Sequence, residues 1–124
     1  LSTIGTWKAG FYPKLLGEAG YEVRILKEPQ QQRLHDEALF HMEYGIKVQA
    51  HPVSKAARKV LLEGVRELEK QDVQAVVLGC TEIPLGLPER KLGSTYLIDP
   101  GLILARALIR EFCPEKLLPG SWKT

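Results

Sequence analysis

The sequence has little cysteine, no excess of either charge and no long hydrophobic run. Its 124 residues include only two cysteines, Cys80 and Cys113, which does not fit the disulfide scaffold of a small secreted protein. The 17 Lys and Arg residues nearly balance 15 Asp and Glu, and a net charge of +2 provides no basic field for nucleic acid. No run approaches the roughly 18 apolar residues of a membrane span. We therefore expect neither nucleic acid nor membrane as a partner.

The beginning of the chain lacks a targeting signal and a methionine. Residues 1–5 have neither the basic region nor the hydrophobic core of a secretory signal, so a cytoplasmic protein with reduced thiols is predicted. A single disulfide bond between Cys80 and Cys113 is the alternative that the sequence leaves open. The chain begins at Leu1, and its only methionine is Met42. We expect that the original start was removed or that the chain is a piece of a longer protein.

The composition is that of one ordinary folded domain. Hydrophobic residues make up 44% and charged residues 26% of the chain, which excludes intrinsic disorder and collagen-like repeats. A chain of this length buries roughly two-thirds of its unfolded surface. A hydrophobic core therefore forms without metal or disulfide support.

The hydrophobic pattern predicts strands that alternate with helices. Strands are predicted at residues 1–4, 21–26, 73–78 and 95–98, and a turn at 5–6. Helices are predicted at 29–44, 55–70 and 100–112, and a short helix or broken turn at 11–19. This alternation predicts an α/β protein with three layers, in which helices flank a mainly parallel sheet. We assign residues 1–112 to a single domain and residues 113–124 to a tail.

Several residues mark the predicted boundaries. Ser54 and Asp99 are expected to cap the two long helices at their N-termini, and Gly45 to end the helix at 29–44. The run VQAVVL at residues 73–78 is almost continuously apolar, which is typical of a parallel strand that is buried on both faces.

The most informative segment is GCTEIPL at residues 79–85, which directly follows this strand. Ligands of open α/β sheets bind beyond the carboxyl ends of strands, and Gly79 permits a close backbone approach there. Cys80 is either a reactive thiol beside backbone N–H groups or a small buried hydrophobic residue, and its position alone leaves both open. A carboxylate of Glu82 aimed at the sulfur would raise the pKa of the thiol.

This segment resembles the second cysteine motif of the aspartate/glutamate racemase family. Glu82 after the Cys-Thr pair resembles the aspartate racemase branch, since glutamate racemases typically carry His there. The residues TIGT at 3–6 and GFY at 10–12 resemble the segment that opens the second half of these proteins. The resemblance extends from residue 1 to about residue 112.

The resemblance implies a fold of two similar α/β halves with the substrate between them. Each half contributes one cysteine, so that one thiolate removes the Cα proton and the other thiol protonates the opposite face. Cys80 would be the cysteine of the second half, and the first half is not in this chain. Cys113 lacks a strand end or glycine turn beside it and is interpreted as structural or incidental. The closing strand and helix, 95–112, are expected to pack on the missing first half or on a partner chain.

The resemblance also suggests which residues hold the substrate, a small amino acid or dicarboxylate. Besides Cys80 as the catalytic thiol, the candidate substrate-binding residues are Thr3, Thr6, Thr81, Glu82 and Lys47. Thr3 and Thr6 could equally serve a strand and a turn, and Lys47 could be a solvated loop lysine. The partner expected for the chain is either a second copy or the missing half.

No cofactor is expected, and no metal. Glu37 and His41 share a helix face, but His35 lies on another face and His51 beyond the helix, so metal-ligand spacing is lacking. The chain has no glycine-rich phosphate loop and no lysine placed for a pyridoxal Schiff base.

Three functions remain open from the sequence. The first is a cofactor-independent amino-acid racemase, incomplete in this chain. The second is an enzyme like arylmalonate decarboxylase, whose relatives keep only the second-half cysteine as a proton donor. The third is a non-catalytic module that binds a small dicarboxylate or assembles with a separate first half.

Overall fold

The computed structural model describes residues 1–118, which contain six α-helices and three short strands. The helices are α1 (Ile4–Ala9), α2 (Phe11–Glu18), α3 (Glu28–Arg33), α4 (Lys55–Glu69), α5 (Ile83–Gly86) and α6 (Pro100–Phe112). The strands are β1 (Ala75–Val77), β2 (Lys91–Leu92) and β3 (Thr95–Ile98). A π-helical segment, Leu34–Leu39, continues α3, and a 3-10 turn, Pro114–Lys116, follows α6. The predicted α/β class is confirmed.

The three strands form a small mixed sheet in the order β1-β3-β2. β1 and β3 are parallel, as the sequence predicts, whereas β2 pairs with β3 in the antiparallel direction. β2 and β3 are joined by a tight turn in which Gly93 has a φ of 55°. β2 was not predicted from the sequence, because two residues are too few to show a periodicity.

The hydrophobic core lies between α4, the π-helical segment and one face of the sheet. The helix α4 contributes a stripe at helical spacing, as predicted, and Ser54 caps it by accepting the N–H of Ala57 at 3.0 Å. The buried side chains that these elements bring together include Leu34, Ala38, Leu39, Leu61, Val65, Leu68, Val76, Leu78 and Leu97.

The prediction that β1 is buried on both faces is wrong. Val76 is buried, but Ala75 before it is exposed and Val77 is half-buried. On the neighbouring strand, Tyr96 is 45% exposed between buried Thr95 and Leu97. The outward face stays open because α6, which follows β3, buries none of its side chains.

The predicted strand at residues 1–4 is reduced to a single bridge. The amino group of Leu1 donates to the carbonyl of Val77 at 2.7 Å, and the N–H of Gly79 donates to the carbonyl of Leu1 at 2.7 Å. Thr3 then caps α1, so residues 4–6 are helical rather than a strand end followed by a turn. The strand ends at Thr3 because the Thr3 hydroxyl accepts the N–H of Thr6 and so begins a helix.

The predicted strand at residues 21–26 is wrong, although the segment contains the buried Leu26. No strand pairs with it in the described residues. Side chains satisfy its carbonyls instead, because Trp7 Nε1 donates to Leu26 O at 3.0 Å and Gln71 Nε2 to Ile25 O at 3.3 Å. An alternating pattern alone does not create the hydrogen-bond ladder of a strand.

The predicted helix at 29–44 ends earlier, at Leu39, and its second part is π-helical. Beyond it the chain turns back, and the N–H groups of Ile46 and Lys47 donate to the carbonyls of Ala38 and Leu39 at 2.9 and 3.1 Å. Gly45 lies at this crossing, where a Cβ would come within 2.5 Å of His41 N and 2.8 Å of Leu39 O. Gly45 is thus required by a close backbone approach, not by a helix end.

The remaining predicted elements are present with shorter or equal bounds. They are α2 for residues 11–19, α4 for 55–70, β1 for 73–78, β3 for 95–98 and α6 for 100–112. Asp99 caps α6 by accepting the N–H of Gly101 at 2.8 Å. Residues 119–124 of the predicted tail lie outside the described residues. None of the helices within residues 1–118 combines the length and hydrophobicity needed to cross a membrane.

Candidate active site

Cys80 lies where the sequence places it, in the turn beyond the carboxyl end of β1. Leu78 donates to Ile98 O at 2.8 Å as the last contact with β3, and Gly79 forms a parallel bridge with Ser2. Cys80 then leaves the sheet half-buried, and α5 begins three residues later. This placement satisfies the rule that ligands of open α/β sheets bind beyond the carboxyl ends of strands.

The phenol ring of Tyr12 leaves room only for glycine at position 79. A Cβ on Gly79 would lie 2.5 Å from Tyr12 Cε2 and 3.2 Å from Leu1 O, so no larger residue fits without a shift. Burial and the nearby Cys80 sulfur raise the pKa of Tyr12. Tyr12 therefore lies near the thiol, a proximity that the sequence did not reveal because residue 12 is 68 positions away from residue 80.

Three donors converge on the carboxylate of Glu82. The Cys80 thiol donates to Oε2 at 2.9 Å and the Thr81 hydroxyl donates to the same oxygen at 2.8 Å. The ammonium of Lys47 donates to Oε1 at 2.5 Å. The structure thus unites Cys80, Thr81, Glu82 and Lys47, four of the candidate site residues, in one cluster.

The charges of this cluster set its protonation. The hydrogen bonds from Cys80 and Lys47 lower the pKa of Glu82 to about 2, so its carboxylate is ionised at neutral pH. Burial, followed by the hydrogen bond to Glu82, raises the pKa of the Cys80 thiol, and the nearby Lys47 only partly opposes this effect. The hydrogen bond with Glu82 raises the pKa of Lys47. The resting site therefore holds a protonated thiol, a carboxylate and an ammonium group.

Thr3 and Thr6 lie at the start of α1, on the segment that pairs with the end of β1. Thr3 Oγ1 accepts the N–H of Thr6 at 3.3 Å and donates to Thr6 Oγ1 at 3.2 Å. The Thr3 hydroxyl thus caps α1, and the two hydroxyls are hydrogen-bonded to each other. Since Ser2 forms a bridge with Gly79, this cap lies at the same end of the sheet as Cys80.

A group of rings that the sequence analysis did not assign to the site supports Lys47. The ammonium of Lys47 lies 5.3 Å from the centre of the Phe40 ring, within the range of a cation–π contact. The ring of His35 packs on Phe40 with centroids 4.3 Å apart, and His35 Nδ1 accepts the N–H of Ile4 at 3.2 Å. His35 thus connects the start of α1 with the Phe40 ring that contacts Lys47.

The other candidates have different partners. Within residues 1–118, no group of three His, Cys, Asp or Glu side chains is placed to hold a metal ion. The ring of His41 stacks on Tyr44 at 3.5 Å, and Glu37 pairs with Arg33. Cys113 is a free, half-buried thiol at the end of α6, and Cys80 is also free, so the two are not bridged.

Comparison with known protein families matches residues 1–108 to the Asp/Glu/Hydantoin racemase family. A family match over most of the chain, together with the α/β fold and the strand-end cysteine, is decisive. The chain belongs to the Asp/Glu/Hydantoin racemase family.

Individual relatives agree with the family. The chain is 30% identical over 120 residues to a glutamate racemase of Pediococcus pentosaceus, an alignment that covers 94% of the chain and 42% of the relative. It is 34% identical over 122 residues to a glutamate racemase of Carboxydothermus hydrogenoformans, covering 95% of the chain and 42% of the relative. The chain therefore spans about two-fifths of the length of these curated relatives.

Proposed function

We propose that the chain is the second half of a cofactor-independent racemase of an acidic amino acid, in which the Cys80 thiol transfers a proton at Cα. The observation that supports this most directly is the convergence of a thiol, a hydroxyl and an ammonium group beyond β1. The ammonium and hydroxyl suit a substrate carboxylate, and the thiol is then beside the carbon to which that carboxylate is attached.

The protonation of the site suggests the role of Cys80 in the first step. Because its pKa is raised, the thiol is protonated at rest and can act as the acid. A base on the opposite face of Cα would remove the substrate proton, and Cys80 would deliver its own proton to the near face. The thiolate left behind lies near the Lys47 ammonium, and the reverse reaction begins from this state with Cys80 as the base.

The opposing base is expected outside this chain. A racemisation with two bases needs groups on both faces of one carbon, and Cys80 can serve only one of them. Since the chain covers 42% of its relatives, we propose that the remainder of the full-length protein supplies the second thiol. Residues 1–124 alone are then not expected to racemise an amino acid at a useful rate.

Aspartate is the proposed substrate, held through Lys47, Thr81 and the cap formed by Thr3 and Thr6. The motif with Glu82 after Cys80 and Thr81 resembles the aspartate racemase branch, whereas the matched relatives are named glutamate racemases. Both amino acids carry a carboxylate on Cα, the group for which Lys47 and Thr81 are suitable partners. The family and these relatives favour racemisation over the decarboxylase alternative.

The experiment is solvent deuterium exchange by the full-length protein without added pyridoxal phosphate. L- and D-aspartate are incubated in D2O, with both enantiomers of glutamate in parallel, and deuterium at Cα is measured by NMR. We expect exchange and racemisation of aspartate, and loss of racemisation by several orders of magnitude in Cys80→Ser. Cys113→Ser is the matched control and should retain activity. Full racemisation by Cys80→Ser would refute the proposed role of Cys80.

A further inference from the structure

The carboxylate of Glu82 is bound as a ligand would be. Both of its oxygens are engaged, Oε1 by the Lys47 ammonium at 2.5 Å and Oε2 by the hydroxyl of Thr81 and the thiol of Cys80 at 2.8 and 2.9 Å. A charged donor on one oxygen and two neutral donors on the other is the arrangement expected of a site that recognises a free carboxylate.

The side chain of Glu82 has no part in capping the helix that it precedes. It occupies the N-cap position of α5, but its side chain makes no capping hydrogen bond. Its side chain is 25% exposed and that of Lys47 is 34% exposed, so the pair lies at the edge of the protein. Glu82 can therefore rotate into solvent and be hydrated there, without leaving a charge buried and unpaired.

We propose that Glu82 is a resident carboxylate that occupies the substrate-carboxylate position of the free site and is displaced when a carboxylate ligand binds. This inference rests on the proposed function, because it assigns to Lys47 and Thr81 the recognition of the substrate. It adds a mode of binding by exchange, in which one carboxylate replaces another on the ammonium of Lys47 and the hydroxyl of Thr81.

Exchange has two physical consequences. The Lys47 ammonium has a carboxylate partner in both the free and the bound site, so it is never left without a counterion. The apparent affinity for a ligand is lowered by the fraction of time that Glu82 occupies the donors, since the ligand must compete with a tethered group. Removing the Glu82 carboxylate should therefore strengthen ligand binding.

The test uses succinate, a dicarboxylate that has no Cα proton to exchange, titrated by calorimetry into the full-length protein. If Glu82 occupies the donors about nine-tenths of the time, Glu82→Gln and Glu82→Ala should bind succinate about tenfold more tightly than the parent protein. Lys47→Gln should lose succinate binding, alone or combined with Glu82→Gln. Glu89→Gln is the matched control, since Glu89 forms an ion pair of the same length with Arg58. The affinity of this variant for succinate should equal that of the parent protein.

Several results would overturn the inference. Weaker succinate binding in the two Glu82 variants would show that Glu82 holds Lys47 in place instead of competing with a ligand. Unchanged binding, or no binding in any form, would show that succinate does not use these donors. The proposed function fails by a different readout, the racemisation of aspartate by Cys80→Ser, so the two failures can be told apart.

Discussion

Lys47 and Glu82 are 35 residues apart in the chain, and their side chains form an ion pair with 2.5 Å between Nζ and Oε1. The reason lies in the backbone before Lys47, where Gly45 permits the chain to cross the end of the π-helical segment. The N–H of Lys47 then bonds to Leu39 O at 3.1 Å, which fixes the position of the lysine. This crossing places a cation beside the thiol of Cys80.

The reactivity of Cys80 should depend on Glu82. Burial and the hydrogen bond to Glu82 raise the pKa of the thiol, so the thiolate fraction near neutral pH is small. In Glu82→Gln the negative charge is lost and the pKa of the Cys80 thiol falls. Alkylation of Cys80 by iodoacetamide at a pH of about 7.5, roughly one unit below the usual thiol pKa, should then become severalfold faster. Mass spectrometry of the labelled peptides gives the rate.

Cys113 in the same sample is the internal control for this experiment. It lies at the end of α6, away from Glu82 in the chain, and its labelling rate should not change with the substitution. A Cys80 rate that stays the same or falls in Glu82→Gln would contradict the prediction, since the carboxylate would then not suppress the thiolate.

Gly79 should not tolerate a methyl group. In Gly79→Ala the new Cβ would lie 2.5 Å from Tyr12 Cε2 and 3.2 Å from the backbone oxygen of Leu1. We expect the free energy of unfolding to fall by about 1–3 kcal/mol, the usual cost of overpacking. Urea denaturation followed by circular dichroism measures the change.

Two further variants separate the ring contact from a general effect of alanine. Gly17→Ala in α2 places its Cβ in open space, so its stability should be unchanged or raised by up to about 1 kcal/mol. Tyr12→Ala should reduce the cost of Gly79→Ala, because the ring is then absent. Equal costs of Gly79→Ala with and without the Tyr12 ring would show that this contact is not responsible.

The helix α6 should associate with another surface. Its residues Leu104, Leu108 and Phe112 are spaced by four, so they share one face, and they are 61%, 51% and 77% exposed. Covering even a few hundred Å2 of such a face is worth several kcal/mol at about 25 cal/mol per Å2. We propose that this face packs on the missing half in the full-length protein and that the isolated chain uses it to form a dimer.

Sedimentation of residues 1–124 measures this association. We expect a species of about twice the 13.9 kDa of the chain, and a monomer for Leu104→Glu combined with Leu108→Glu. Lys59→Glu, on the exposed side of α4, is the control and should remain a dimer. A monomeric parent chain, or a dimer that survives the two α6 substitutions, would contradict the prediction.

The sequence by itself determined the features that depend on neighbours along the chain. The helical stripe of α4, the caps at Ser54 and Asp99 and the strand before Cys80 follow from local spacing and hydrogen bonding, and the structure contains them all. The family could also be inferred from residues 79–85, because this short segment resembles the second cysteine motif of the family.

Only the tertiary structure decided which groups surround the thiol. Residues 21–26 alternate like a strand, yet they find no strand partner among the described residues, and the indole of Trp7 takes up their last carbonyl. Tyr12 and Phe40 reach the site because helix packing and the crossing at Gly45 bring distant segments together. Such contacts depend on how elements dock, and periodicity carries information only about the exposed and buried faces of each element.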